Sequence, residues 1–221
     1  MRRAPLALTA GLSLLVLTAC GGEEAPEQET APAGEGGTAL DDLESGYSAM
    51  DPGSVGEATI TATLVDPEGT QVGVVGMDPV PEGTVVSVIL TDSGLEPGFH
   101  GLHLHGTGVC EPDSQSPSDP AATGDFLSAG GHLGVDEGDH GSHTGDLPSL
   151  YVLSTGSATL RFVSDAFTVD DVTDADGTAV MVHSGADNFA NIPDRYAPEG
   201  PDQETLDTGD SGTRVACGVI E

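Results

Sequence analysis

The sequence predicts an all-β domain, an antiparallel sandwich or barrel, on three observations. Short segments that alternate with period two recur between Asp, Pro and Gly turns, and no convincing helical period runs beyond ten residues. Gly at 32 and Pro at 15, with no Trp and five Phe, suit a turn-rich architecture rather than a helical bundle. The 221 residues fit one domain of roughly 150–170 plus extra segments. Ala58–Val65 alternates and is rich in β-branched residues, which makes it the first strand. Thr70–Gly76 and Thr84–Leu90 read the same way, parted by turns at 66–69 and 78–83. His100–His105, Ala158–Val163, Ala179–His183 and Arg214–Cys217 are further strands. Two long Gly/Asp/Ser-rich connections remain, at about 106–150 and 184–212. Long loops in a compact domain usually carry function.

Ahead of the domain lies a targeting segment. Met1-Arg2-Arg3 is positive, residues 4–17 form an apolar run too short to span a bilayer comfortably, and Leu17-Thr18-Ala19-Cys20 resembles a bacterial lipobox. Residues 1–19 are therefore expected to be a lipoprotein signal peptide and Cys20 the lipidated residue. Residues 20–56, rich in Gly, Glu, Ala and Pro, read as a flexible acidic linker, and residues 57–221 as the folded domain. The protein is then exported and lipid-anchored to the outer face of the cell membrane. Cys110 and Cys217 are left either as a disulfide or as two free buried thiols, and an oxidising compartment favours the bridge.

There is no Lys, and the basic residues are Arg2, Arg3, Arg161, Arg195 and Arg214 against 37 acidic ones. Removing residues 1–19 leaves three arginines against those 37 acids, formally −34. Such a charge excludes nucleic acid and anionic membrane surface as electrostatic partners. It fits a salty habitat, where repulsion is screened, as well as a surface kept acidic by drift.

All seven histidines fall within one 84-residue window, and six have spacings that suit metal ligands. His103 and His105, two apart on a strand, project from one face and can reach the same ion. His183 ends the apolar strand 178–182, and a loop carries His132-x7-His140-x2-His143-x2-Asp146. An all-imidazole site suits copper, and a mixed histidine–carboxylate site suits zinc. Six histidines and one aspartate divide into two such sites if one histidine is shared.

Five motifs then fall in order. They are Gly98-Phe99-His100-Gly101-Leu102-His103-Leu104-His105, Ser128-Ala129-Gly130-Gly131-His132, Gly145-Asp146-Leu147, Val182-His183-Ser184-Gly185-Ala186-Asp187, and the run from Gly212 to Ile220 that contains Arg214-Val215-Ala216-Cys217-Gly218. Together they resemble copper,zinc superoxide dismutase over about residues 57–221, and the lipobox and linker resemble its membrane-anchored bacterial branch. The resemblance implies an eight-stranded antiparallel Greek-key β-barrel or sandwich, immunoglobulin-like, with two long functional loops. It implies dismutation of superoxide, with copper on His103, His105, His132 and His183. Zinc would sit on His132, His140, His143 and Asp146, with His132 as the bridge. Asp187 would link ligands of the two metals, Thr208 would stand at the channel mouth, and Cys110–Cys217 would be the family disulfide. Arg214 would attract and hold the anion, and His132 would carry a proton to the product. His100 matches a histidine that ligates neither metal. A homodimer is left open as the oligomeric state.

Two departures from the family pattern stand out. The span from His132 to Asp146 is only 14 residues, shorter than in most members, and some bacterial relatives with short loops hold copper alone. Asp207 occupies the place of a lysine that guides the anion, so steering is expected to be poor and the rate to fall little, or rise, with salt. The alternative function is a copper- or zinc-binding lipoprotein that buffers metal with little catalysis. The presence of Arg214 and Thr208 weighs against it.

Overall fold

The computed structural model describes residues 52–221; the signal segment, Cys20 and linker residues 21–51 lie outside the described residues. A helical turn at Pro52–Val55 leads into β1 (Ile60–Val65), β2 (Gln71–Val80), β3 (Gly83–Leu90), β4 (Gly98–His100) and β5 (Leu102–His105). Then come β6 (Ser114–Gln115), β7 (Thr123–Gly124), β8 (Leu150–Val152), β9 (Ala158–Ser164), β10 (Ala179–His183) and β11 (Arg214–Val219). Seven strands form one antiparallel sheet in the order β5–β10–β11–β1–β2–β3–β9. β4 continues β5 across Gly101 and pairs with β8, which turns back into β9 through a turn where Leu153 N–H donates to Ser157 O at 2.9 Å.

With β4 and β5 counted as one strand and the short β6–β7 pair set aside, eight antiparallel strands curl into the expected barrel. The β3–β4 and β9–β10 connections cross between its halves, as in a Greek key. One interior cluster fills it, with Ile60, Leu64, Met77 and Val86 facing Leu102, Leu104, Val180 and Val182.

The strand limits differ from the sequence expectation in two places. β2 runs on through Asp78-Pro79-Val80, so the turn shrinks to Pro81-Glu82. Asp78 accepts from both the N–H and the hydroxyl of Thr59 at 2.8 Å, which ties this extension down. Pro79 lies past the start of β1, which pairs from Ile60 opposite Met77, so no rung to β1 is lost there. The connections at 106–150 and 184–212 are not bare loops either. They hold β6, β7, β8, single 3-10 turns and the helix Gln203–Thr208, elements too short to leave a period. That helix starts where Asp202 accepts from Thr205 N–H and ends at Gly209 with φ +60°.

β10 decides where the site goes. Val180 and Val182 face the barrel core, while Ala179 and Met181 face outward into a second cluster with Phe126, Ala129 and Cys217. In register with it, β5 turns Leu102 and Leu104 inward and sets His103 opposite Met181 and His105 opposite Ala179. The two histidines therefore stand on the outer face of the barrel, beneath the long loops. A bulge between Val182 and His183 then puts His183 opposite Arg214.

Candidate metal centre

The site grows from β5 outward. His105 forms an isolated bridge with His132, and His103 with Asp146, so the loop 132–146 lies along the free edge of β5. Leu104 N–H donates to Gly145 O and Leu133 N–H to Leu104 O, both at 2.8 Å. Across β10, His183 completes the first group. The nearest ligand atoms of His103, His105, His132 and His183 all lie within 4.8 Å of one another. Those of His103, His132, His140 and Asp146 do the same.

Which nitrogen each ring offers follows from what the other one does. His105 Nδ1 bonds Gly130 O at 2.9 Å, His183 Nδ1 bonds Gly212 O at 3.1 Å, and His143 Nε2 bonds Gly138 O at 3.0 Å. A carbonyl only accepts, so each of those nitrogens carries the proton and the other keeps its lone pair. Asp187 does the same for two more rings, with Oδ2 2.9 Å from His103 Nε2 and Oδ1 2.8 Å from His140 Nε2. The nitrogens left over are His103 Nδ1, His105 Nε2, His183 Nε2, His140 Nδ1 and His143 Nδ1. All five are buried without a hydrogen-bond partner. Leaving one buried polar atom unpaired costs about 1–3 kcal/mol, so five converging lone pairs fit metal ions well.

His103 stands in both groups and has only Nδ1 to offer, because its Nε2 is taken by Asp187. His143 belongs with the second, since its Nδ1 lies 3.3 Å from Asp146 Oδ1, the atom that also sits 3.0 Å from His132 Nδ1 and 3.1 Å from His140 Nδ1. Three nitrogens and one carboxylate oxygen suit zinc, and four imidazoles suit copper. His132 stands between the groups, its ring centroid 4.0 Å from His103 and 5.1 Å from His140. His100 turns Nδ1 to His183 O and Nε2 to Glu96 O, both at 2.8 Å, so both of its nitrogens are engaged by backbone carbonyls.

Burial keeps three of the imidazoles neutral, the form that ligates a metal. Burial pushes His105, and likewise His183, well below the usual range, helped by Arg214 beside the first and His103 beside the second. Burial also takes His132 down to about 4, against the pull of Asp146. His140 goes the other way: burial opposes its charge, but contacts with Asp146 and Asp187 outweigh that and raise it to about 9. Burial would raise both carboxylates, yet hydrogen bonds from the histidines hold Asp146 and Asp187 far below the usual range.

Arg214 is anchored by backbone. Its guanidinium donates to Phe126 O at 2.6 Å and Gly130 O at 2.5 Å, and burial brings it down to about 10, still charged at neutral pH. Gly130 O thus fixes both the arginine and His105. Phe126 presents its carbonyl from a left-handed conformation, φ +59°, with its ring buried in the outer cluster. The Cys110–Cys217 disulfide, Cα–Cα 5.7 Å, ties that loop to β11 three residues beyond Arg214.

A cavity of about 1260 Å³ opens over this half of the centre, lined by His105, His132, His183, Thr208 and Arg214. Thr208 donates its hydroxyl to Glu204 O at 2.8 Å. Residue types alone did not single out Phe126, Gly130 or Gly209. Gly209 is needed for space: a Cβ there would stand 2.1 Å from Asp187 Oδ1 and 2.3 Å from His140 Nε2. Its one sequence signal is the Thr-Gly-Asp ending of a short helix.

Comparison with known proteins agrees with this geometry. Residues 71–220 match the family model described as copper/zinc superoxide dismutase (SODC). The chain is 48% identical over 182 residues to "Superoxide dismutase [Cu-Zn]" of Mycobacterium tuberculosis, covering 80% of this chain and 75% of that protein. It is 31% identical over 190 residues to the protein of the same name from Deinococcus radiodurans, covering 81% and 93%. Among solved structures, Cu/Zn superoxide dismutase from Brucella abortus superposes with a TM-score of 0.54 at 29% identity, covering 73% of this chain and 98% of that one. Six histidines and an aspartate folded into two adjoining ligand groups, under an arginine held by a disulfide-tied loop, place this chain in the copper/zinc superoxide dismutase family.

Proposed function

We propose that His103, His105, His132 and His183 hold the copper of this enzyme, and His132, His140, His143 and Asp146 its zinc, with His132 shared. The protein dismutates superoxide, turning two superoxide ions and two protons into oxygen and hydrogen peroxide, with copper and zinc as its cofactors. Copper, when bound, supplies the one-electron redox change, and zinc a fixed positive charge. The five unpartnered imidazole nitrogens carry this reading.

The chain's own groups do the rest. Arg214 offers the anion charge-assisted hydrogen bonds, and its carbonyl anchors keep it from swinging away. Thr208 lines the same cavity as Arg214. His132, whose Nδ1 faces Asp146 Oδ1 at 3.0 Å on the zinc side, carries the proton for the product at Nε2. Asp187 keeps His103 and His140 in the orientation that frees Nδ1 on each. Replacing Arg214 by Ala in the metal-loaded protein should slow superoxide decay about tenfold while copper content stays the same. An unchanged rate would remove Arg214 from the reaction.

Residues 1–19 are a lipoprotein signal cut before a lipidated Cys20, residues 20–56 a tether, and residues 57–221 the catalytic domain on the outer face of the cell membrane. The lipobox and the disulfide in the domain support this placement. Labelled fatty acid should enter the wild-type chain and not Cys20→Ser; equal labelling would refute the anchor. A homodimer agrees with the outward-facing Phe99 and Tyr151, which leave an apolar pair on β4 and β8.

A further inference from the structure

We propose that the cavity over the copper-side histidines is also the route by which copper reaches them, and that its carboxylates favour capture of the cation at the expense of speed with superoxide. This rests on the assignment of that histidine group to copper.

Two independent features meet here. The cavity wall carries Asp125, Asp136, Glu204, Asp207 and Asp210, and Arg214 is the one cationic side chain in the lining. None of the five is neutralised by an arginine: every ion pair among the described residues joins a histidine to Asp146 or Asp187. Gln203 donates to Asp207, and Asn188 and Thr205 to Asp210, but neutral donors orient a carboxylate without cancelling its charge. At the floor of the same cavity lie His105 and His183, 1% and 4% exposed, each with an Nε2 that is buried and has no partner. Carboxylates alone would be a solvated surface; the unpartnered imidazoles below them supply a destination for a cation.

The same field acts oppositely on the two species that must travel this path. Five negative charges around one positive charge draw copper inward and hold superoxide back. Fields of this kind, for which superoxide dismutases are themselves an established example, change association rates by roughly 10- to 1000-fold. Added salt screens both effects, within about 8 Å at physiological strength. Copper uptake should therefore slow as salt rises, while superoxide consumption holds steady or quickens.

The test uses the full chain, zinc-loaded and stripped of copper, mixed with copper(II) while the visible absorption of the copper–imidazole centre is followed in time. Two charge-matched variants are compared, Asp136→Asn/Glu204→Gln/Asp207→Asn in the cavity, and Glu82→Gln/Asp92→Asn/Asp165→Asn away from it. At low salt the cavity variant should take up copper about tenfold more slowly than the wild type, with a flat salt response and the same final copper content. The distant variant should behave like the wild type. Once loaded, the cavity variant should consume superoxide faster. Equal uptake rates in the two variants, or uptake indifferent to salt in the wild type, would overturn the proposal. A chain that shows the expected uptake yet leaves superoxide untouched would refute the dismutase reading and leave the uptake route standing.

Discussion

In the four-imidazole group, His103, His105 and His183 stand on strands paired within the main sheet. In the histidine–carboxylate group, His140 and His143 stand on a loop that borrows its order from the site itself. There Asp146 Oδ2 accepts from Gly141 N–H at 2.6 Å and His143 N–H at 3.0 Å, and His140 N–H reaches across to Leu206 O at 2.7 Å. One half is a rigid frame that presents lone pairs; the other is a loop folded around a carboxylate. The difference teaches that the four-imidazole group is set largely by the barrel, whereas the histidine–carboxylate group is set together with the loop. Two bridges join the halves, His132 and Asp187.

The sharpest way to break this comparison is to remove one ligand from each half. His105→Ala should abolish dismutation, by on the order of 1000-fold or more, because the redox metal loses its place, while the fold persists. His143→Ala should keep copper and part of the activity but lose hydrogen-exchange protection over residues 133–146, with β5 and β10 amides unchanged. Loss of protection in the strands as well would show that the frame also depends on zinc.

Next in size is Asp187→Ala, which unfastens one histidine in each half. Zinc affinity should fall roughly 10- to 100-fold, the usual cost of losing the partner of a ligating histidine. Copper affinity should fall less, since His103 remains in its strand register. Equal losses, read by competition with a chelator for each metal, would contradict the rigid-frame account.

The smallest effect expected is that of Gly209→Ala. The added methyl, at φ +60°, must push on Asp187 and His140, so zinc should leave several-fold faster while copper release is unaltered. Zinc release at the wild-type rate would mean that the loop absorbs the methyl.

Much of this is legible in the sequence alone. The Leu-His-Leu-His alternation at 102–105 already implies two apolar side chains inward and two imidazoles outward, and the structure places them so. The spacing of His132, His140, His143 and Asp146 likewise announces a ligand loop. What stayed hidden were elements without a period, such as the three residues of β8 and the six-residue helix at 203–208. β10 also hides its alternation, because its outer face is buried under Phe126 and Ala129 and all five of its residues read as buried.

The sequence by itself determined the residue types, the strand period that puts His103 and His105 on one face, and the motif of Arg214 and Cys217 that marks the family. Only the tertiary structure decided which nitrogen each histidine leaves free, that Gly130 O serves both His105 and Arg214, and that Asp187 spans the two ligand groups. Those outcomes hang on hydrogen bonds between residues 25 to 84 positions apart, which local patterning cannot encode. Periodicity says which way a side chain points, and the partner that meets it there is set by how distant segments pack.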